Sequence, residues 1–166
     1  MSRCVGWRGA KSASDVSGAP APISLLADVP ISLPGLTRAV KLQAKAARVG
    51  FDWPTLAPVF SKMREELAEL EEIALPADPR GSKPPGGPPD PRLVDEFGDV
   101  LFVMANVARH LAIDPETALR TANAKFVRRF AYIEQRLAEQ GRTVDAATLD
   151  EMDALWVEAK AKERGG

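Results

Sequence analysis

Cysteine and histidine are almost missing from this sequence: Cys4 and His110 are each alone of their kind among 166 residues. That excludes an internal disulfide and a zinc finger, and it leaves Cys4 with His110 as the one conceivable Cys/His dyad. Cys4 stands in a stretch too irregular to build such a dyad. A single thiol suits a reducing compartment, so a cytoplasmic protein is expected. A surplus of charge is missing as well. Lys and Arg number 22 against 23 Asp and Glu, which gives no global field of the kind that gathers a nucleic-acid polymer or a membrane surface. Any anionic ligand must then be held by a local site. Arg3, Arg8 and Lys11 are not followed by an apolar run of signal-peptide length, and no stretch approaches the length of a membrane span. Alternating Val/Ile/Thr runs and hairpin turns are also lacking. The fold class is therefore all-α.

What is present is a series of helical patterns. Residues 1–34 are rich in Ser, Ala, Gly and Pro and read as an irregular leader. A domain over 35–164 follows. Its first helix runs from about Gly35 to Val49 and stops at Gly50. Asp52 is expected to cap a second helix with Pro54 in its first turn, reaching about Leu75. The stretch 76–91 holds so many Pro and Gly residues that it reads as an exposed loop. One reading makes it a plain insertion; another makes it a lid that carries Arg80 and Lys83 to a ligand. Asp90-Pro91 and Asp114-Pro115 each pair a cap with a first-turn proline, opening a third helix to about Ala112 and a fourth to about Glu139. Thr148 with Glu151 forms a capping box for a fifth, on which Leu149, Met152, Trp156 and Ala159 face inward. About five helices on short connections predict an antiparallel bundle.

Two acidic motifs organise the chain. On a helix, residues three or four apart share a face, so Glu66 with Glu69 and Glu96 with Asp99 each project two carboxylates the same way. Val59, Phe60, Met63, Leu67, Leu70 and Ile73 form an apolar stripe with Glu66 at its margin. Leu93, Phe97, Val100, Leu101, Met104, Val107 and Leu111 form another, bordered by Glu96 and Asp99. If the stripes pack together, four acids meet at a partly dry seam and must bind a proton, a base or a metal. The plain alternative is a solvated Glu-rich face. An all-oxygen set favours Mg²⁺ first and Mn²⁺ second. A di-iron bundle would need Glu-x-x-His motifs, and His110 has no Glu three residues before it. Lys125 and Arg129, four apart on the fourth helix, form a cationic pair; the plain alternative is a solvated basic face, and taken together with the acids the pair suggests a polyphosphate substrate.

The segments Ala46 to Pro54, Arg64 to Leu70, Glu96 to Phe102, Asn106 to Leu111, Ala122 to Phe130 and Glu151 to Trp156 resemble the MazG family of nucleoside triphosphate pyrophosphohydrolases, in its C-terminal catalytic half. The resemblance implies hydrolysis of a nucleoside triphosphate between the α and β phosphates, releasing a monophosphate and pyrophosphate. It implies that Glu66, Glu69, Glu96 and Asp99 are Mg²⁺ ligands and that Lys62, Lys125 and Arg129 bind phosphate. Glu65 is the candidate to orient or deprotonate the attacking water, since it shares a face with Glu69. Asn106 and Asn123 are candidates for hydrogen bonds to sugar or base, and Phe102 and Trp156 for base stacking or subunit contact. The resemblance also implies a homodimer with sites completed near the interface. Two other readings stand beside this one. The chain could be a non-catalytic module that binds a nucleotide or a partner protein, or a pyrophosphohydrolase with one narrow substrate, a pyrimidine deoxynucleotide or phosphoribosyl-ATP.

Overall fold

Asp90 and Asp114 do what local chemistry asks of them. In the computed structural model, which describes residues 24–77 and 88–164, the Asp90 carboxylate accepts from the Arg92 amide, and that of Asp114 accepts from the Glu116 and Thr117 amides. Each satisfies donors that a helix start leaves unpaired, and each is followed by proline at the first position, where no amide is needed. These caps open α3 (Pro91–His110) and α4 (Pro115–Ala138), which follow α1 (Gly35–Ala47) and α2 (Leu56–Ala77). A 3₁₀ turn over Val144–Ala146 leads to α5 (Leu149–Arg164). The capping box at its start is closed in both directions, Thr148 N–H to Glu151 Oε2 at 2.8 Å and Glu151 N–H to Thr148 Oγ1 at 3.3 Å. No strand occurs among the described residues, and the fold is all-α.

Three helix ends share one device. After α1, α3 and α4 the chain turns back so that an amide bonds a carbonyl five residues earlier: Phe51 to Ala46, Ile113 to Ala108 and Arg142 to Leu137. This turn needs a left-handed residue. Gly50 (φ 85°) and Gly141 (φ 70°) supply it at no steric cost, whereas α3 uses Ala112 (φ 54°).

α3 lies between α1 and α2, and α4 pairs with α5 while touching α1 more lightly. Val59, early in α2, packs on Val103 and Val107, late in α3, with Trp53, Leu56, Phe60 and Met63 around them; the two helices are therefore antiparallel. Gln43 of α1 donates to the Phe102 carbonyl at 2.8 Å from the other side. A second, smaller core holds Ile133, Leu137 and Ala159 between α4 and α5. Ahead of α1, Val29 is buried, and Lys45 bonds the Leu25 carbonyl and pairs with Asp28.

Several faces differ from the periodicity. α2 begins at Leu56, and Asp52 does not cap it: the Asp52 carboxylate turns to α3 instead. Position 66 rather than 67 points inward on α2, so Glu66 is buried and Leu67 exposed. On α3, being held on two sides moves the core face to Val103, Val107 and their neighbours, and leaves Phe97 (53 % exposed), Leu101 (41 %) and Met104 (48 %) in the open. Leu149 of α5 is exposed, not inward. The first half of α4 has no cover within the chain, and residues 117–128 are all exposed, Leu119 and Phe126 among them. Arg80, Lys83 and most of the Pro-rich stretch lie outside the described residues, as does most of the leader.

Candidate metal centre

Because α2 and α3 run antiparallel, the middle of α2 faces the first turns of α3. There Glu66 meets Glu96 and Asp99, and one carboxylate oxygen from each lies within 4.8 Å of the others. The exposure rises steeply across the set: Glu66 is 5 % exposed, Glu96 half-buried and Asp99 open to solvent. One wall of the cluster is thus fixed by packing and the other is accessible. Glu69, a turn beyond Glu66, is exposed and is not among the converging oxygens, yet it senses them. Burial raises its pKa, and the charges of Glu66 and Glu96 add to the rise while Lys62 opposes it. Asp99 is raised for the same reasons, burial first and then Glu66 and Asp95. Crowded like charges of this kind are relieved by a cation.

A cation is already close. Lys62 Nζ stands 2.6 Å from Glu66 Oε1 and 2.8 Å from Glu65 Oε1. Burial works against the charge on Lys62, but its bonds to Glu65 and Glu66 outweigh that and hold the ammonium above its ordinary pKa. The donor set itself is all carboxylate oxygen, on two separate helices, and it can hold a hard divalent cation.

No family model matches the chain. Curated relatives do. The nucleoside triphosphate pyrophosphohydrolase of Escherichia coli (strain K12) is 41 % identical over 140 residues, 84 % of this chain and 50 % of that protein. The protein named nucleoside triphosphate pyrophosphohydrolase/pyrophosphatase MazG of Thermotoga maritima is 38 % identical over 128 residues, 77 % of this chain and 45 % of its own length. Over the span they share, the chain is similar to these nucleoside triphosphate pyrophosphohydrolases, one of them named MazG. It spans about half the length of these relatives. It is also 45 % identical to the uncharacterized protein YabN of Bacillus subtilis, covering 27 % of that protein.

The other expected site residues are spread over two places. Asn106, on α3, is buried, and its Oδ1 accepts from Arg109 Nη2 at 2.8 Å. Asn123 and Lys125 stand on the uncovered stretch of α4. Arg129 pairs with Glu163 of α5 at 2.8 Å and lies over the Trp156 ring, 5.4 Å from its centroid. Trp156 also meets Phe126, ring centroids 5.4 Å apart. Asn123, Lys125, Arg129 and Trp156 are gathered on the α4–α5 pair, and among the described residues no hydrogen bond or ion pair ties them to the acids of α2 and α3.

One polar cluster escaped the sequence reading. Asp52 Oδ1 accepts from Arg109 Nη2 and lies 3.4 Å from His110 Nε2. Burial pushes the Asp52 carboxyl up, but the Arg109 bond and charge, the Trp53 amide and His110 bring it below its ordinary value. The partners are 57 residues apart in sequence, a separation at which spacing carries no signal. Arg109 also bonds Asn106, so the cluster reaches into the buried face of α3. Among the described residues no helix is long and apolar enough to cross a membrane.

Proposed function

We propose that the chain hydrolyses nucleoside triphosphates to nucleoside monophosphate and pyrophosphate at a Mg²⁺ centre formed by Glu66, Glu69, Glu96 and Asp99, with Mn²⁺ as a substitute ion. The observation that carries this reading is the convergence of the Glu66, Glu96 and Asp99 oxygens, in a chain 41 % identical to a nucleoside triphosphate pyrophosphohydrolase. An acid set with one buried and one open member leaves room for phosphate oxygens and water beside the protein ligands, as Mg²⁺ prefers. Bound there, the ion neutralises phosphate charge and acidifies water.

The side chains then divide the work. Glu65 is exposed, and with one oxygen engaged by Lys62 it keeps the other to take a proton from the attacking water. That water bonds to one phosphorus of the α–β anhydride as the bridging P–O bond breaks and pyrophosphate leaves. Lys62, Lys125 and Arg129 hold phosphate. Asn123, exposed on α4, addresses sugar or base, whereas Asn106, expected beside it, is buried and engaged by Arg109; Trp156, flanked by Phe126 and Arg129, offers a stacking face.

A homodimer is part of the proposal. Phe97, Leu101 and Met104 on α3 and Leu119 and Phe126 on α4 are all exposed, which suits a second copy that covers them. Such a copy would set Asn123 and Lys125 of one chain against the acids of the other. The catalytic unit in this reading is residues 35–164, preceded by a leader and interrupted by the Pro-rich insertion, in a cytoplasmic protein.

The test is pyrophosphate release from a panel of ribo- and deoxynucleoside triphosphates, with Mg²⁺ and with EDTA, by the wild type and by Glu96→Gln. Release that needs the metal and is lost in the variant is the expected result. No release from any triphosphate by folded protein would leave the non-catalytic module, and release from a single nucleotide would select the narrow-substrate enzyme. Sedimentation of Phe97→Asp beside the wild type tests the dimer: a wild-type mass of one chain would remove it.

A further inference from the structure

Lys62 is shared between two carboxylates of different surroundings. Its ammonium is 2.6 Å from an oxygen of Glu66, which is buried, and 2.8 Å from an oxygen of Glu65, which is exposed. A buried carboxylate with no counter-charge is strongly disfavoured, and the ammonium one helical turn away supplies that charge. The lysine side chain is itself 21 % exposed, so its head has a path outward.

We propose that Lys62 is the resident counter-cation of the acidic centre: it balances Glu66 in the free protein and gives Glu66 up when a divalent cation binds, turning outward to a phosphate oxygen of the substrate. This rests on the metal reading above. An ammonium and a divalent ion on one carboxylate repel, so the two compete for Glu66. Glu65, on the solvent side, offers Lys62 an alternative hold, and an incoming phosphate oxygen offers a third. The exchange links the ligands. A cation that frees Lys62 prepares it for phosphate, and a phosphate that draws Lys62 away opens Glu66 to the cation. By thermodynamic reciprocity the two enhancements are equal. Lys62 is thus a positioning residue for the metal and a ligand for the substrate in turn.

The experiment uses Mn²⁺ alone as the probe, its free fraction read by electron paramagnetic resonance, with the whole chain and no nucleotide. Lys62→Met keeps the apolar stem and removes the charge; Arg64→Met removes a charge from an exposed neighbour on the same helix. Lys62→Met is expected to bind Mn²⁺ about tenfold more tightly than the wild type, and Arg64→Met to change affinity by less than about twofold because its charge is screened by solvent. Unchanged or weaker binding in Lys62→Met would overturn the inference alone, since it would mean that the lysine shapes Glu66 for the ion or does not touch it. Absence of binding by both proteins would overturn the inference and the metal reading together. Binding by the variant but not by the wild type would support the exchange in its strongest form. A second measurement needs only the folded wild type with ¹⁵N-labelled lysine, the Lys62 Nζ signal being assigned with Lys62→Arg. That signal should move as Mg²⁺ is added, and a signal that stays fixed while Mg²⁺ shifts the thermal transition would sink the proposal.

Discussion

Asp52, in the link between α1 and α2, accepts a hydrogen bond from Arg109 in the last turn of α3. The contact ties the entry of one wall of the acidic centre to the exit of the other. Asp52→Ala and Arg109→Ala should each destabilise the fold, and the double-mutant cycle should return a coupling of about 1 kcal/mol by urea denaturation. A coupling near zero would mean that the pair is an incidental contact.

Ala112 occupies the left-handed position that glycine fills after α1 and α4. Ala112→Gly removes a steric penalty and should raise stability by about 1 kcal/mol, in spite of the extra freedom given to the unfolded chain. Gly141→Ala should move stability the other way. Thermal denaturation of the two variants beside the wild type checks both signs.

Val59 and Leu137 are the most completely buried large side chains, and they belong to different cores. Val59→Ala loosens α2 from α3, and Leu137→Ala loosens α4 from α5, the latter costing about 3 kcal/mol. Because no core residue is shared, the two losses should add within about 0.5 kcal/mol. A clear excess or shortfall in the double variant would show that the cores act as one.

Glu151 joins the capping box of α5 to Arg142, which bonds both of its oxygens at 2.9 and 3.0 Å. The Arg142 bond, followed by the Thr148 amide, lowers its pKa to about 2 from 4.5. The folded form therefore holds its proton less tightly than the unfolded form, and the stabilisation is present above pH 4.5 and lost as pH falls toward 2. Glu151→Gln should melt below the wild type at pH 7, and the gap should close across that acid window. A gap independent of pH would assign it to shape instead of charge.

How much of this was legible in the sequence depended on how local the cause was. The Asp-Pro starts of α3 and α4 and the Thr148–Glu151 box act within a few residues, and each was readable. Helical spacing set Glu96 with Asp99 on one face, and both converge with Glu66; it set Glu69 beside Glu66 as well, and Glu69 is not among the converging oxygens. The exact inward position was not: Glu66 and Leu67 are adjacent, and an apolar count favours the leucine. Nor could periodicity show that α3 is gripped from two sides, which exposes Phe97 and Met104, or that Phe126 lies on a stretch of α4 without cover in its own chain. Asp52 looked like a cap because an aspartate shortly ahead of a proline suits a helix start, and a distant arginine took it instead.

Glu66→Leu would make the inward face of α2 uniformly apolar, at the cost of the carboxylate nearest the core. Metal-dependent pyrophosphate release should vanish, while the midpoint of thermal unfolding without divalent ions should rise by a few degrees, about 1 kcal/mol, because Lys62 keeps Glu65 as a partner. Loss of stability would show that the buried pair holds the two helices together.

The antiparallel pair α2–α3 is fastened at one end by Asp52 and Arg109 and by the valines beside them, and its acids stand farther along. From Arg109 back to Asp99 is about 15 Å of helix at 1.5 Å per residue. On a lever of that length, a splay of about 2° at the fastened end moves the carboxylates by about 0.5 Å, more than the roughly 0.3 Å by which oxygen distances to Mg²⁺ and Ca²⁺ differ. For a cation held there, the bite of such a centre would be adjustable, and discrimination between ions would fall to their hydration and to the charge around Glu66 instead of to a fixed gap.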